Sequence, residues 1–256
     1  MNTIGFIGGG RITRIFLEGW TRANQTPANI IVSDPNAEIL DALKARFPGI
    51  LTTSDNARAA SQDLVFLAVH PPLITEVVAG IRDHLKPGAS MVSLAPKFTI
   101  AKLTELLGGF TRLARVIPNA PSIIGAGYNP HTFATALSLV DRKWITDLLA
   151  PLGECPEVEE DKLEAYAVLT AMGPTYLWFQ LQALRDLAAG FGLADAEIAP
   201  ALKAMVCGAT QTLLESGLSS VDVINLIPVK PLAAMEPQVT ETYQTCLPAI
   251  YQKIKP

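Results

Sequence analysis

The first thirteen residues of the chain include Thr3-Ile4-Gly5-Phe6-Ile7-Gly8-Gly9-Gly10-Arg11-Ile12-Thr13, and no other stretch narrows the possible folds as far. An apolar run of strand type meets three consecutive glycines, and Arg11 to Arg22 then reads as a helix. A buried strand that turns sharply into a helix leaves unpaired backbone N–H groups at the helix start. Such a terminus binds phosphate, and glycines let the backbone come close to it. Glycines also make ordinary tight turns, but a cluster placed between strand and helix points to a dinucleotide site. Gly8, Gly10, Arg11 and Ile12 are then its expected cofactor contacts.

The next hundred residues repeat this strand-then-helix pattern. Asn29 to Ser33 reads as a second strand that stops at Asp34-Pro35-Asn36, and Asn36 is placed to cap a helix from Ala37 to Phe47. Asp34 lies 24 residues after Gly10, close to where a dinucleotide fold places the acid that binds the adenosine ribose hydroxyls. A carboxylate there repels a 2′-phosphate and favours NAD. Arg11 argues the other way, since it can reach a phosphate across the first turn, so both NAD and NADP stay open with a lean to NAD. Asp63 to Val69 is a buried strand running into His70-Pro71-Pro72, where the prolines end it and start a helix through Leu85. Ligands of an open parallel sheet sit at the carboxyl ends of its strands, which sets Ala68, Val69 and His70 beside the cofactor. Further strands read from Ala89 to Leu94, ending at Ala95-Pro96-Lys97, and from Arg112 to Ile117, ending at Pro118-Asn119. This alternation predicts an α/β, doubly wound parallel sheet.

Ser122 to Tyr128 can add another strand, and Thr132 to Leu152 reads as a helix broken by Gly153. From about Leu163 the character changes: no convincing strand, and two long helices of low polarity, Pro174–Phe191 and Ala194–Ser216. A helix apolar on most sides needs more partners than one small domain offers, so a subunit interface is expected. The expected organisation is a dinucleotide-binding domain over 1–160 and an all-α dimerisation and substrate domain over 161–256.

Composition excludes several function classes. At 256 residues, 49% apolar and 17% charged, the chain has ample core, and a net charge of −4 gives no sign of a nucleic-acid or anionic-membrane partner. No apolar run is long enough to cross a bilayer, and no secretory signal is visible. Three widely spaced cysteines fit a reducing cytoplasm, and together with three scattered histidines they form no metal pattern.

Four landmarks in order resemble the pyrroline-5-carboxylate reductase family: Ile4 to Gly10; Phe66-Leu67-Ala68-Val69-His70-Pro71, similar to "LAVKP"; Arg115 to Pro121, similar to "RxMPNTP"; and Thr170 to Tyr176, similar to "SGSGPAY". The resemblance runs from about residue 2 to residue 217. It implies an N-terminal Rossmann domain followed by a helical domain that interlocks two subunits as a homodimer or a multiple of dimers. It also implies hydride transfer from NAD or NADP to a cyclic imine, 1-pyrroline-5-carboxylate, or to a related small carboxylate. There are departures. Thr13 stands where alanine is usual, Arg11 where asparagine is usual and His70 where lysine is usual. "SIAAG" becomes Ser93-Leu94-Ala95-Pro96-Lys97. Where the family carries "SPGGTT", which holds the imino acid, this chain reads Ile227-Pro228-Val229-Lys230-Pro231-Leu232.

Hydride chemistry belongs to the cofactor, and the protein supplies position and charge. Asn119 can hydrogen-bond the nicotinamide or substrate, or merely cap a turn. His70 can act as acid or hydrogen-bond donor, or simply end a strand. Lys97 and Lys230 can each pair with a substrate carboxylate or protonate a carbonyl oxygen, or lie on the surface. Thr175 and Tyr176 open the helix that faces substrate in the family. The catalytic candidates are thus Asn119, Lys230 and Thr175. Two other readings stay open: a dinucleotide-binding regulatory protein that has lost reductase activity, and an oxidoreductase with a different substrate.

Overall fold

The computed structural model describes residues 2–256. β1 (Ile4–Ile7) leads through the glycine turn into α1 (Arg11–Arg22). The alternation continues as β2 (Ile30–Ser33), α2 (Ala37–Arg46), β3 (Leu51–Thr53), α3 (Asn56–Ala60), β4 (Leu64–Leu67), α4 (Ile74–Ile81), β5 (Ser90–Ser93), α5 (Ile100–Leu106) and β6 (Leu113–Val116). These six strands are parallel, in spatial order β3-β2-β1-β4-β5-β6. That order reverses at β1, and the crevice it creates at the strands' carboxyl ends is where such sheets bind dinucleotides.

The sheet is covered on both faces, which explains why its central strands are apolar throughout instead of alternating. On one face Phe6 stacks on Phe66 at 4.7 Å, with Phe16 and Trp20 meeting them edge-on or tilted. Trp20 also donates its indole N–H to the Leu148 carbonyl at 2.7 Å. Ile7, Val65 and Leu67 pack on the other face with Ile74, Val78, Met91 and Leu103.

After β6 come β7 (Gly127–Tyr128), β8 (His131–Phe133), α6 (Leu139–Leu149) and β9 (Gly153–Glu154). The expected helix over 132–152 is therefore corrected at its start. β8 pairs antiparallel with β6, Ala114 opposite Phe133 and Val116 opposite His131, and so closes the open edge of the sheet. The helix begins only after Ser138, whose hydroxyl accepts from the Asp141 N–H. The possible strand over 122–128 shrinks to β7, because 120–124 coils into a 3₁₀ turn.

Next come α7 (Leu163–Tyr166) and a π-helical turn over Ala167–Ala171. α8 (Pro174–Gly190), α9 (Asp195–Glu215), α10 (Ser220–Asn225) and α11 (Glu236–Ile254) complete the chain. The residues form two compact units: one runs to Met172 and includes Ile250–Pro256, the other is Gly173–Ala249. In the second unit α8 has no buried residue, and α9 buries only Ile198. Among the described residues no helix is long and apolar enough to cross a membrane.

Candidate cofactor and substrate site

The glycine turn is built by close approach. Gly8 has φ +102°, and a Cβ there would lie 2.6 Å from the Ala68 carbonyl oxygen, so a side chain is barred by both conformation and space. Gly10 differs. Its φ is −71°, which any residue adopts, and a Cβ would meet nothing within 4 Å. Neither backbone strain nor packing accounts for a glycine at that position. The space in front of its backbone is open. α1 starts here with no side-chain cap and no acid in its first turn, so the protein leaves the positive end of its dipole uncompensated. Thr13, fully buried, donates its hydroxyl to the Gly8 carbonyl at 2.6 Å and ties helix to turn. A threonine is accommodated there because its polar atom is satisfied.

Asp34 follows β2 and lies against the same turn. One carboxylate oxygen accepts from the Gly9 N–H at 2.8 Å, the other from the Asn36 N–H at 2.9 Å. Asn36 in turn accepts from the N–H groups of Glu38 and Ile39, capping α2 as its sequence predicts. The acid is therefore fixed beside the glycines. Asn56, at the start of α3, is drawn to the same edge by the Ser33 hydroxyl at 2.8 Å. Nothing in the sequence singles out Asn56, since β3 and α3 are too short to show periodicity.

Ala68, Val69 and His70 come at the end of β4, next to β1 in the sheet, with the Ala68 N–H donating to the Ile7 carbonyl. His70 is exposed, and its carbonyl accepts from Leu73 as the prolines begin a 3₁₀ turn. Asn119 follows β6 and is 6% exposed. Its side-chain oxygen accepts from the Tyr128 N–H at 3.1 Å, and its side-chain nitrogen donates to the Thr170 carbonyl at 3.2 Å in the π-helical turn. Its amide thus fastens two loops together.

Between these segments lies a buried ion network that the sequence pattern does not reveal. Arg115 on β6 is fully buried and pairs with Glu164, itself 1% exposed, and with Glu160 at 3.0 Å. Glu164 also accepts from the Lys97 N–H at 2.9 Å, and Glu160 from the Ile100 N–H at 2.6 Å. Lys97 has φ +80°, a conformation costing a side-chain-bearing residue of order 1–3 kcal/mol. The network offsets that cost by making the backbone N–H part of a buried charge cluster. An arginine inside an apolar strand is the available signal, since a buried cation requires partners.

Known proteins are similar to this chain over most of its length. A family described as "NADP oxidoreductase coenzyme F420-dependent" matches residues 3–97. The pyrroline-5-carboxylate reductase of Corynebacterium melassecola is 32% identical over 85% of this chain and 82% of its own length. Pyrroline-5-carboxylate reductase 2 of Pongo abelii is 30% identical over 84% of this chain and 68% of its own. This chain belongs to the pyrroline-5-carboxylate reductase family. It is an NAD(P)-dependent oxidoreductase. Among solved structures, the pyrroline carboxylate reductase of Plasmodium falciparum, solved with NADP bound, matches with a TM-score of 0.83 at 21% identity, covering 99% of this chain and 97% of that one. That of Coxiella burnetii matches with 0.70 at 27% identity, over 99% and 94%. The Rossmann sheet and helical region expected from the sequence are those of the family.

The remaining candidates lie in the second unit. Thr175 is exposed on the first turn of α8. Lys230 is exposed and donates to the Asn225 side-chain oxygen at 3.0 Å. The altered segment is open to solvent, with Ile227 67%, Val229 72% and Leu232 74% exposed. Among the described residues no group of His, Cys, Asp and Glu is arranged to hold a metal ion.

Proposed function

We propose that this oxidoreductase reduces a cyclic imine bearing a carboxylate, of the 1-pyrroline-5-carboxylate type, to the corresponding cyclic amino acid. The observation that carries this reading is relatedness to reductases of that name over 85% of the chain, both units included. In the proposal the domains keep the roles expected of them: the sheet domain holds the dinucleotide, and the helical domain contributes to substrate binding and pairing. Gly10, Arg11 and Ile12 receive the pyrophosphate, Asp34 the adenosine ribose, and Ala68 to His70 flank the nicotinamide end. The bound nicotinamide supplies a hydride to the imine carbon. The C=N electron pair moves onto nitrogen, so an already protonated imine needs no acid from the protein. That suits an edge where the Asn119 amide is committed to positioning loops. Thr175 and Lys230 are the substrate-side candidates of the second unit.

Two finer assignments belong to the same proposal. Asp34, fixed by two backbone N–H bonds, cannot swing away from a 2′-phosphate, which favours NADH over NADPH. The Asp34→Ala variant should shift the NADH/NADPH preference about tenfold toward NADPH, roughly 1.4 kcal/mol; an unchanged ratio leaves Asp34 a turn residue. The uncovered α8 supports a homodimer or a multiple of dimers, and three free cysteines suit a reducing cytoplasm. Absorbance of NADH and NADPH with a panel of imines, ketones and aldehydes tests the reading. Turnover confined to cyclic imines is expected; turnover of ketones or aldehydes alone would replace it.

A further inference from the structure

Lys97 follows β5, which stands between β4 and β6 in the sheet. Its neighbours at the carboxyl edge are therefore the His70 segment on one side and the Asn119 segment on the other. This is the strip over which a molecule reacting with a sheet-bound nicotinamide must lie. Among the described residues the non-glycine positions of positive φ are Asn24, Asn29 and Lys97. Asparagine is several-fold enriched in that conformation, and lysine is not. The resemblance places a glycine at position 97, and the backbone here keeps a glycine's shape while carrying a long cationic side chain.

The strained backbone is held from within. Its N–H is bound by Glu164, which Arg115 holds in turn, and both are buried. The side chain is exposed, and among the described residues its ammonium has no hydrogen-bond or ion-pair partner. Lys230, the other cation of interest, is already engaged by Asn225. The segment that resembles the family's carboxylate-holding loop contains Pro228 and Pro231, which have no N–H to donate. Strained residues held by their surroundings cluster at functional sites.

We infer that Lys97 is the specificity-determining residue for the substrate's carboxylate, which its ammonium pairs at the carboxyl edge of the sheet. Arg115 and Glu164 are positioning residues that hold its backbone. The inference rests on the imine-reductase reading for the identity of the substrate, but a lysine that selects carboxylates can be tested without it.

Two measurements on the full chain separate the two. Calorimetric titration of the NAD⁺-loaded protein with L-proline, and with pyrrolidine as the ring lacking a carboxylate, reads binding alone. Wild type should prefer proline, and Lys97→Met and Lys97→Gly should each lose at least tenfold of that preference, with Lys97→Arg retaining most of it. Lys97→Gly relieves the strained backbone, so its melting temperature should be no lower than wild type, and its loss of preference is not a loss of fold. A wild type indifferent to the carboxylate, or variants that keep the preference, overturns the assignment. Reduction of 1-pyrroline-5-carboxylate, which carries the carboxylate, is followed in parallel. Its absence from wild type counts against the reductase reading while the titration still decides Lys97.

Discussion

The sheet unit and the helical unit are both rich in apolar residues and dispose of them in opposite ways. In the first, β1, β4, β5 and β6 are buried along their whole length, and Phe6, Phe16, Trp20 and Phe66 are all fully enclosed. In the second, the 17 residues of α8 include none that is buried, and Phe179 and Phe191 are 69% and 81% exposed. Burying a large apolar side chain stabilises by roughly 1.5–3 kcal/mol. Leaving Leu177, Trp178, Phe179, Leu184, Leu187 and Phe191 in water forfeits on the order of 10 kcal/mol by the same scale. The sheet unit is therefore complete as a single chain. The helical unit leaves an apolar surface exposed, the one on which the proposed dimer rests.

Substitutions at matched aromatics should make this difference visible. Phe66→Ala in the sheet core should cost about 3–5 kcal/mol in chemical denaturation, because a cavity opens beneath the stacked Phe6 ring. Phe179→Ala in an isolated chain should cost almost nothing. Phe179→Asp should instead shift sedimentation from the proposed dimer to monomer while helical circular dichroism persists. Equal thermal losses at both positions would break the comparison.

Smaller effects probe the cofactor cradle. Gly10→Val should weaken NADH binding at least tenfold, about 1.4 kcal/mol, while leaving the melting temperature unchanged. A Cβ at Gly10 meets open space, so the protein itself has no objection to the side chain. Unfolding of this variant, or NADH binding retained in full, would show that the glycine serves the fold instead of the ligand.

The smallest effect separates the sheet unit's own pH dependence from that of its carboxylates. His131 on β8 is 2% exposed, its Nδ1 has no hydrogen-bond partner among the described residues, and its ring lies edge-on to Phe133 at 4.8 Å. Burial pulls its pKa below the ordinary histidine value, more than the opposing pull of Glu157 and the Asn129 backbone. The folded protein then binds fewer protons than the unfolded chain just below the ordinary histidine pKa of about 6.5. His131's contribution is full above that value and is lost as pH falls below it toward the lowered folded value. His131→Phe should flatten the loss of stability as pH falls below the ordinary histidine value of about 6.5. Asp63, held low chiefly by its bond to Lys86, loses its contribution only in the more acid carboxylate range. A variant with the wild-type slope would assign the decline to other groups.

The sheet is legible in the sequence because each central strand is a short apolar run punctuated by glycine, proline or asparagine. The Asn36 cap and the long apolar helices can be read for the same reason: their signals are local. β8 reads as helix because a three-residue strand followed by a helix leaves no period to detect, and only the open edge of β6 gives it a partner. Arg115 inside an apolar strand signals a buried cation, but its partners in the Arg115–Glu164–Lys97 network are hidden for another reason. Arg115 and Lys97 lie 49 and 67 positions from Glu164 in the chain, and nothing in their spacing announces that β6 and α7 bring them together. The glycine turn and Asp34 stand out because strand, turn and acid recur at a fixed distance. Lys97's conformation becomes visible only in three dimensions.

The most direct test follows the hydride itself. NADH carrying deuterium at C4 of the nicotinamide, labelled on either face, is incubated with the protein and 1-pyrroline-5-carboxylate, and the product is weighed by mass spectrometry. Proline one mass unit heavier is expected from one of the two labelled faces. Unlabelled proline from both, or no proline from a protein that binds the cofactor, would contradict imine reduction by this chain.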